Sequence, residues 1–428
     1  MSKGQQTIRA ARGFDDVLPN QTWKWQAVEQ IARDTARAFH FKEIRTPLIE
    51  FSELFHRGVG ESTDIIQKET FDIAPRKDDS DRLSLRPEQT AGVVRAMIES
   101  GALNDEGARI KVFYIGPNFR YERPAKGRVR QHNQFGIEAF GVAEPEQDFE
   151  CISLQLAFFR AAGIKDLALR VNTLGDAESK QRYREQLVKH LEPKVSQLSE
   201  DSQRRMQLNP LRILDSKDPR DIEAIQGAPS ARDALTETSR KHFERVVALL
   251  KEFGIEHTID GTLVRGLDYY SGTLWEFTAG GLGAQNALGG GGRYDNLVEQ
   301  LGGRATPGVG FGSGLERLLI ALEAQGAQLP HPPHQLVWLI AHGDAAREHN
   351  LKLLNELRTA GIAADMDLGG RSVKSQFKLA DREHATISLV VGDDELSSKS
   401  VQMKDLKTGE QTAVERDWVI ETIKRRPV

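Results

Sequence analysis

Residues 119–130 read FRYERPAKGRVR, and residues 131–141 continue with QHNQFGIEAFG. Five cations crowd the first segment, where Asp and Glu are nearly absent, so we expect that the positive charge is not neutralised within the turn. The planar guanidinium groups of Arg120, Arg128 and Arg130 suit the geometry of phosphate oxygens. The segment therefore predicts a basic turn that binds an anion. A solvated hairpin tip is the alternative.

The segment after the turn has the alternation of a β-strand. Because side chains alternate between the two faces of a strand, His132, Gln134 and Glu138 share one face. Phe135 and Ile137 take the other face. The pattern predicts a polar strand face that lies beside the basic turn.

A second group of polar residues lies in LVRGLDYY, residues 263–270, which we interpret as a strand-like run. A buried Arg265 needs an anionic partner, while Asp268, Tyr269 and Tyr270 offer acceptors and hydroxyls for a small polar aromatic ring. Further on, GGGG at residues 289–292 has no side chains to block a ligand. The pattern predicts a segment that lines a ligand-binding site. The alternative is an arginine salt-bridged to an aspartate in a core strand.

The stretch GVGFGSGLERL, residues 308–318, predicts a glycine-rich strand that enters an apolar helix. Arg317 falls in the first turns of that helix, where a cation opposes the helix dipole. A bound polyanion or carboxylate explains this arginine better than helix stability does.

FRYERP with its basic loop and GFGSGLERL resemble motifs 2 and 3 of the class II aminoacyl-tRNA synthetases. LVRGLDYY and GGGGRYDNLVEQLGG resemble the two histidine-specific blocks of the histidyl-tRNA synthetase family. The likeness runs from Arg12-Gly13-Phe14 almost to the C-terminus and includes SLRPE at residues 84–88, NPLRILD at 209–215 and KDL at 404–406.

The element pattern and this resemblance predict an α+β fold, with an antiparallel class II sheet core and flanking helices. Trp23–Phe41 is expected to be helical, and Glu43–Glu50 a strand interrupted by Pro47 at an edge or interface, which the resemblance makes the dimer interface. We expect Pro87 in the first turn of the next helix. The expected parts are core at 1–171 and 259–327, a helical insertion at 172–258, a linker at 328–335 and a C-terminal α/β anticodon-binding domain at 336–428.

Composition fits a cytoplasmic enzyme. The 428 residues carry a formal net charge of -4, so contact with nucleic acid must come from local basic patches. The single cysteine, Cys151, excludes an internal disulfide and is expected to be a buried helical thiol. No apolar run approaches the length of a membrane span, and no apolar core of a signal peptide is seen.

The resemblance implies that histidine and ATP form histidyl-adenylate and pyrophosphate, and that histidine then passes to the 3′-terminal adenosine of tRNA(His). Arg120 would hold the α-phosphate, Glu122 would accept from the adenine amino group, and Arg128 would hold the outer phosphates. His132 and Arg317 would stack on adenine. Mg²⁺ would accompany the outer phosphates, and no metal-binding residue of the chain is assigned.

The resemblance also implies the histidine site. Arg265 would hold the α-phosphate and the histidine carboxylate together, so that Arg265 and Arg120 are the catalytic pair. Glu138 and Tyr270 would bond the two imidazole nitrogens. The full set of histidine-binding residues would be Glu88, Thr90, Gln134, Glu138, Arg265, Tyr269 and Tyr270.

The sequence departs from the usual family pattern at three positions. Gln89 stands where Gly is common and places bulk beside Glu88. His132 stands where Phe is common, so the charge of the stacking ring would vary with pH. Ala125 stands where many members have Gln in the loop that meets the tRNA acceptor end.

Two other functions compete with the enzyme. One is an inert paralogue such as the regulatory subunit of ATP phosphoribosyltransferase, and the other is a tRNA-binding protein built on a degenerate synthetase. The intact arginine set and the C-terminal domain favour the enzyme. Within that domain Arg371, Lys374 and Lys378 are candidate anticodon contacts, with merely solvated charges as the alternative.

Overall fold

The computed structural model describes residues 7–60, 63–74, 77, 81–280, 282, 286–331 and 335–426. The chain divides into two compact units, Met1–Pro330 and His331–Val428.

The helices of the first unit are α1 (Pro19–Ala38), α2 (Ser52–Val59), α3 (Thr90–Glu99), α4 (Pro145–Ala162), α5 (Ala177–Leu191), α6 (Glu200–Leu208), α7 (Pro219–Ala224), α8 (Glu237–Glu252), α9 (Leu297–Gln300) and α10 (Leu315–Ala324). Its strands are β1 (Lys42–Glu43), β2 (Ile49–Phe51), β3 (Phe71–Ile73), β4 (Leu83–Leu85), β5 (Ile110–Phe119), β6 (Gln131–Phe140), β7 (Leu167–Thr173), β8 (Thr258–Ile259), β9 (Thr273–Ala279), β10 (Ala287–Arg293) and β11 (Gly308–Gly314).

The centre of the first unit is an eight-stranded sheet in the order β1-β5-β6-β11-β10-β9-β7-β8. The pairs from β5 to β7 are antiparallel, and only the short edge strands β1 and β8 pair in parallel. Phe135 and Ile137 of β6 are fully buried in a cluster with residues of α1, α4, α8 and α10. The predicted antiparallel core is therefore confirmed, and its other face is left for a site.

The prediction of one strand at Glu43–Glu50 is wrong. Two short strands form instead, β1 in the large sheet and β2 at the edge of a three-stranded sheet with order β2-β4-β3. Pro47 has no N–H for a ladder, and the carbonyls of Thr46 and Pro47 accept from Arg86 Nη1 at 2.9 and 3.3 Å. The expected edge position of this segment is confirmed.

The helix after Pro87 also begins later than predicted, at Thr90. The side chain of Glu88 explains the start, because its two oxygens accept from the backbone N–H groups of Thr90 (2.7 Å) and Ala91 (2.8 Å). These are the orphan donors of a helix N-terminus. Pro87 lies outside the helix.

A helical stretch separates β7 from β8. Residues 172 and 173 belong to β7, where Thr173 pairs with Thr273 of β9. The helices α5 to α8 follow, and α8 returns to the core beside α4. Cys151 is buried on α4, as predicted.

The second unit contains β12 (Val337–Ala341), α11 (Asp344–Thr359), β13 (Ala364–Met366), α12 (Val373–Arg382), β14 (Ile387–Val391), α13 (Asp393–Ser398), β15 (Ser400–Asp405), β16 (Gln411–Glu415) and α14 (Val419–Lys424). Its sheet has the order β13-β12-β14-β15-β16, with β12 parallel to both neighbours. The predicted, partly parallel α/β domain is confirmed. In the described part of the chain, no helix is long and apolar enough to span a membrane.

Candidate active site

The polar face of β6 holds a buried carboxyl group, Glu138, which is 1% exposed. Its Oε1 accepts from Thr90 Oγ1 (2.7 Å) and from the Tyr114 hydroxyl (3.2 Å). Its Oε2 accepts from the Tyr294 hydroxyl. Three hydroxyl groups from three different elements therefore fix the orientation of Glu138.

Burial raises the pKa of Glu138 to about 8, although the hydrogen bonds from Tyr294 and Thr90 act in the opposite direction. Glu88 contributes to the rise as a nearby carboxylate. The pKa of Glu88 is also raised, mainly by burial. This pair of buried carboxyl groups therefore favours a partner that supplies a hydrogen-bond donor or a positive charge.

Several glycines leave room for these side chains. A Cβ at Gly310 would lie 1.9 Å from Glu138 Oε2, and a Cβ at Gly136 would lie 2.4 Å from the Tyr114 hydroxyl. In β10, a Cβ at Gly290 would lie 2.8 Å from Arg265 Nη1. The space above these glycines is therefore filled by the chain's own side chains, which corrects the expectation that the glycine run leaves open space for a ligand.

The segment 263–270 is a loop, so the prediction of a strand-like run is wrong. Arg265 lies 3.2 Å from Glu276 Oε2 through Nη1 and donates to the carbonyl of Gly290 through Nη2 at 3.3 Å. Its carboxylate partner is thus Glu276 of β9. Asp268 instead accepts from Asn209 Nδ2 at 2.7 Å.

Tyr269 and Tyr270 are buried at the end of this loop. Their ring centroids lie 4.7 Å apart, and the Tyr269 ring lies 5.6 Å from that of Tyr294. Burial raises the pKa of Tyr270, so its hydroxyl keeps its proton at neutral pH. The three tyrosines form an aromatic wall beside Glu138.

The basic turn lies near this group of side chains, since the charges of Glu88 and Arg265 act on Arg120. Arg120 Nε donates to the carbonyl of Pro87 at 2.8 Å, and burial lowers its pKa. Arg128 is ion-paired with Glu122. The expectation of a turn without internal neutralisation is therefore wrong for this pair, because the chain folds back at Gly127 (φ +70°) and brings Arg128 to the glutamate.

The turn reaches the helix that carries Arg317. A Cβ at Gly127 would lie 3.2 Å from Ile320 Cδ1 and 3.4 Å from Arg317 Cγ. Burial lowers the pKa of Arg317, and nearby Arg128 lowers it further. Two cations held this close favour a bound anion.

Two of the unusual positions have a structural explanation. Burial and Arg120 lower the pKa of His132 to about 3, so its ring stays neutral near pH 7 and the expected pH-dependent charge is corrected. Gln89 is buried, and its Nε2 donates to the carbonyl of Gly116 on β5 at 3.3 Å. The side-chain amide of Gln89 is therefore hydrogen-bonded to the sheet. Ala125 lies in the turn, bridged to Arg128.

The remaining assigned residue, Gln134, accepts from Asn118 Nδ2 at 2.7 Å on the same sheet face. The sequence reasoning missed Tyr114, Tyr294 and Glu276. Tyr294 lies within the motif GGGGRYDNLVEQLGG. Tyr114 lies directly opposite Gly136 in the β5–β6 register. Glu276 pairs with both Arg265 and Arg170, across a strand pair that the sequence pattern did not reveal.

The fold and this site define a class II aminoacyl-tRNA synthetase. The family model described as Histidyl-tRNA synthetase matches residues 13–318, and the one described as Anticodon binding domain matches residues 336–426. The Histidine–tRNA ligases of Bacillus velezensis and Bacillus subtilis are each 46% identical over 415 residues, covering 96% of this chain and 97% of the relative. The crystal structure of apo histidyl-tRNA synthetase from S. aureus has a TM-score of 0.81 at 37% identity and covers 98% of this chain and 100% of that chain.

The chain belongs to the histidyl-tRNA synthetase family. Its function is that of a histidine–tRNA ligase. The similarity extends through both units.

Proposed function

We propose that histidine is activated by ATP in the pocket between Glu138 and the basic turn, and is then transferred to the 3′-terminal adenosine of tRNA(His). The observation that carries this placement is that two groups of side chains with different chemistry lie close together. One is the buried carboxyl group of Glu138 with its three hydroxyl donors, and the other is the cationic group of Arg120 and the arginines of the turn and of α10. An imidazole suits the first group, and a triphosphate suits the second.

The proposed imidazole contacts are Glu138 and Tyr270. A neutral imidazole offers one N–H donor and one acceptor nitrogen, which a carboxyl oxygen and a phenol hydroxyl can meet. Thr90 and Tyr269 complete this group, and the hydroxyl of Thr90 already orients Glu138 at 2.7 Å. An amino acid that leaves these buried groups unpaired is disfavoured, which supplies the selectivity.

The α-amino and carboxylate groups of histidine are assigned to Glu88, Gln134 and Arg265. Glu88 is 4% exposed and uses each oxygen once for the start of α3. Since a carboxylate oxygen has two acceptor sites, an ammonium donor can bind beside these backbone donors. The ion pair with Glu276 fixes the Arg265 guanidinium beside the glycine strand.

For ATP, we assign the α-phosphate to Arg120 and Arg265, the outer phosphates to Arg128, and the adenine ring to Arg317, His132 and Glu122. Binding of ATP requires that the ion pair between Arg128 and Glu122 opens, because each side chain then takes a part of the nucleotide. Arg128 and Glu122 thus exchange each other for ATP as a partner. The conformation of the turn therefore depends on whether ATP is bound.

Catalysis in this proposal is positioning and charge neutralisation. The attack of a histidine carboxylate on the α-phosphorus brings two anions together, so guanidinium groups on both stabilise the transition state. Arg120 is held by the Pro87 carbonyl and Arg265 by Glu276, so neither has to reorganise during the step. No side chain is required as a nucleophile.

Magnesium belongs to the substrate in this proposal. Within the described ranges, no group of three or more His, Cys, Asp or Glu side chains could hold a metal ion. Mg²⁺ commonly binds phosphates and water with only one or two carboxylates. We therefore propose that it enters with ATP and neutralises the outer phosphates.

The second unit is proposed to bind the anticodon. Arg371 just before α12 and Lys374 and Lys378 on α12 are exposed, and Arg371 is 3.7 Å from Asp367. Contacts from these cations to phosphates would make tRNA binding depend on salt. The helical stretch between β7 and β8 is the proposed insertion, and residues 328–335 the linker.

We also propose a homodimer in the cytoplasm, where ATP and tRNA are available. The edge strand β2 and the residue before it expose three large apolar side chains, Leu48 (43%), Ile49 (46%) and Phe51 (55%). An exposed apolar edge strand is a ready template for another chain. A second copy at this edge matches the dimer interface expected from motif 1.

The test is histidine-dependent exchange of labelled pyrophosphate into ATP, followed by charging of tRNA(His). A regulatory paralogue would bind histidine without exchange, and a tRNA-binding protein would do neither. The absence of exchange with purified protein, ATP and Mg²⁺ would refute the proposed function.

A further inference from the structure

The loop 263–270 carries Arg265 and Tyr270 but has no secondary structure of its own. Buried carbonyl groups need hydrogen-bond donors, and a loop cannot obtain them from a strand ladder. Four carbonyls of this loop obtain them from side chains. Asn172 donates to Leu263 at 2.9 Å, Arg212 to Gly266 at 2.8 Å, and Lys180 to Asp268 and Tyr270 at 3.0 and 3.2 Å.

Most of these donors come from the helical insertion. Lys180 lies on α5, and Arg212 lies in the 3₁₀ turn Pro210–Asp215 that follows α6. Asn209, just before that turn, donates from Nδ2 to Asp268 Oδ1 at 2.7 Å. The segment 209–215, NPLRILD, resembles a motif of the family, but the proposed function assigns no role to its residues.

The part of the insertion that contacts the loop is also held by ion pairs and apolar packing. The Arg212 side chain is 14% exposed, and its Nη2 lies 3.5 Å from Asp64. Arg205 on α6 lies 3.0 Å from the same carboxylate. Leu211 and Ile213 are buried in the same apolar cluster as Tyr269 and Tyr270, alongside Leu214 and Leu263. The Arg212 guanidinium thus joins the loop to a segment of the core that precedes α3.

We propose that Asn209, Arg212 and Lys180 are positioning residues for histidine activation, which hold the loop 263–270 so that Arg265 and Tyr270 face the substrate. This inference rests on the proposed function and adds to it a role for the insertion. Gly266 follows Arg265, and a glycine is the residue that needs most external restraint to stay in one conformation. Arg212 supplies that restraint at the Gly266 carbonyl.

The two substrates should respond differently to loss of these contacts. The loop supplies Arg265, Tyr269 and Tyr270 to the histidine site, whereas the ATP-binding turn packs on α10 near Arg317 and Ile320. A loosened loop should therefore weaken histidine binding and slow adenylate formation, because misplacement of a charged group by even one ångström is costly. The affinity for ATP should fall much less than that for histidine, because the loop supplies only Arg265 to ATP, whereas the turn and α10 supply Arg120, Arg128 and Arg317.

Asn209→Asp is the decisive variant, because it sets two carboxylates against each other where a 2.7 Å hydrogen bond now lies. We expect the histidine Kd and the single-turnover rate of adenylate formation each to worsen by about tenfold or more. The double variant Asn209→Asp/Asp268→Asn reverses donor and acceptor. It should recover most of both losses, which would tie them to this one hydrogen bond, while a smaller effect on ATP affinity separates positioning of the loop from a general structural defect.

Lys180→Gln gives a second test on α5, with Arg182→Gln as its matched control. Arg182 is exposed and pairs with Glu178 on the same helix. Lys180→Gln should weaken histidine binding by several-fold, while Arg182→Gln should leave it unchanged. Amide hydrogen exchange within residues 263–270 should accelerate in Lys180→Gln and in Asn209→Asp.

Wild-type histidine Kd and wild-type activation rate in Asn209→Asp would overturn the inference. Equal loss of ATP and histidine affinity, unrecovered in the double variant, would also overturn it and make the segment structural only. Absence of histidine-dependent exchange in the wild-type protein would overturn the proposed function itself.

Discussion

Glu138→Ala removes the carboxyl group proposed to bind the imidazole. The loss of this hydrogen bond leaves the imidazole N–H unpaired in a buried site and should cost about 2–4 kcal/mol of binding free energy, which raises the histidine Kd by about thirtyfold to a thousandfold. The structure adds a second effect. The hydroxyls of Thr90, Tyr114 and Tyr294 would lose their shared acceptor, and each unpaired buried donor costs about 1–3 kcal/mol of stability.

Glu138→Gln separates the two effects, since the amide keeps the volume of the side chain and one acceptor oxygen. Isothermal calorimetry with histidine and with ATP should show a large loss for histidine and less than about 0.5 kcal/mol for ATP in both variants, because Glu138 belongs to the group proposed to bind the imidazole. Tyr294→Phe, which removes one of the three donors, should cost about 0.5–1.5 kcal/mol of histidine binding.

The raised pKa of Glu138 gives the same variant a pH signature. The unfolded chain loses the proton near the ordinary value of 4.5, whereas the folded chain keeps it to about 8. The folded state therefore binds more protons between these values, and its free energy of unfolding falls as pH rises from about 4.5 to 8 and levels off above. One proton corresponds to about 1.4 kcal/mol per pH unit. The calorimetric unfolding temperature of the wild type should drop relative to Glu138→Gln from pH 5 to pH 8.

Equal loss of histidine and ATP affinity in Glu138→Gln would refute the assignment, because it would mean that the strand is disrupted as a whole. An identical pH dependence of unfolding in the wild type and Glu138→Gln would refute the raised pKa. Either result leaves the family membership of the chain untouched.

Three further predictions concern other residues. Arg265→Lys keeps the charge but loses the two-pronged geometry, so adenylate formation in a single turnover should slow by about a hundredfold or more, and near-normal activation would contradict the bridging role. His132→Phe should leave the pH profile of ATP binding unchanged between pH 6 and 8, because burial and Arg120 already hold the pKa of His132 at about 3; a change in that profile would show that His132 titrates. Removal of residues 331–428 at the unit boundary should leave pyrophosphate exchange intact and weaken tRNA charging, and an unchanged apparent affinity for tRNA would exclude the anticodon role.

The residue patterns alone predicted much of the sheet. Alternation placed His132, Gln134 and Glu138 on the face opposite Phe135 and Ile137, because the period of a strand is fixed by its backbone. The glycine-rich strand that enters α10, and the parallel part of the second unit, also followed from local pattern. Such features depend on neighbours in sequence, which is why they can be predicted without the fold.

The loop 263–270 shows where local reasoning ends. Its apolar and polar residues resemble a strand, yet its carbonyls are bonded by Lys180 and Arg212, which are more than fifty residues away in the chain. In the same way the carboxylate partner of Arg265 is Glu276, which lies on β9 and not in the loop itself. Local patterns do not specify which distant side chain will reach a carbonyl or a guanidinium group.

The sequence by itself determined the family, the α+β fold class and most of the residues proposed to bind histidine and ATP. Only the tertiary structure decided their ionisation and their partners: the pKa of about 8 for Glu138, the neutral His132 and the ion pair between Arg128 and Glu122. The physical reason is that the pKa of a group depends on its burial and on the charges around it. Both are properties of packing between distant segments.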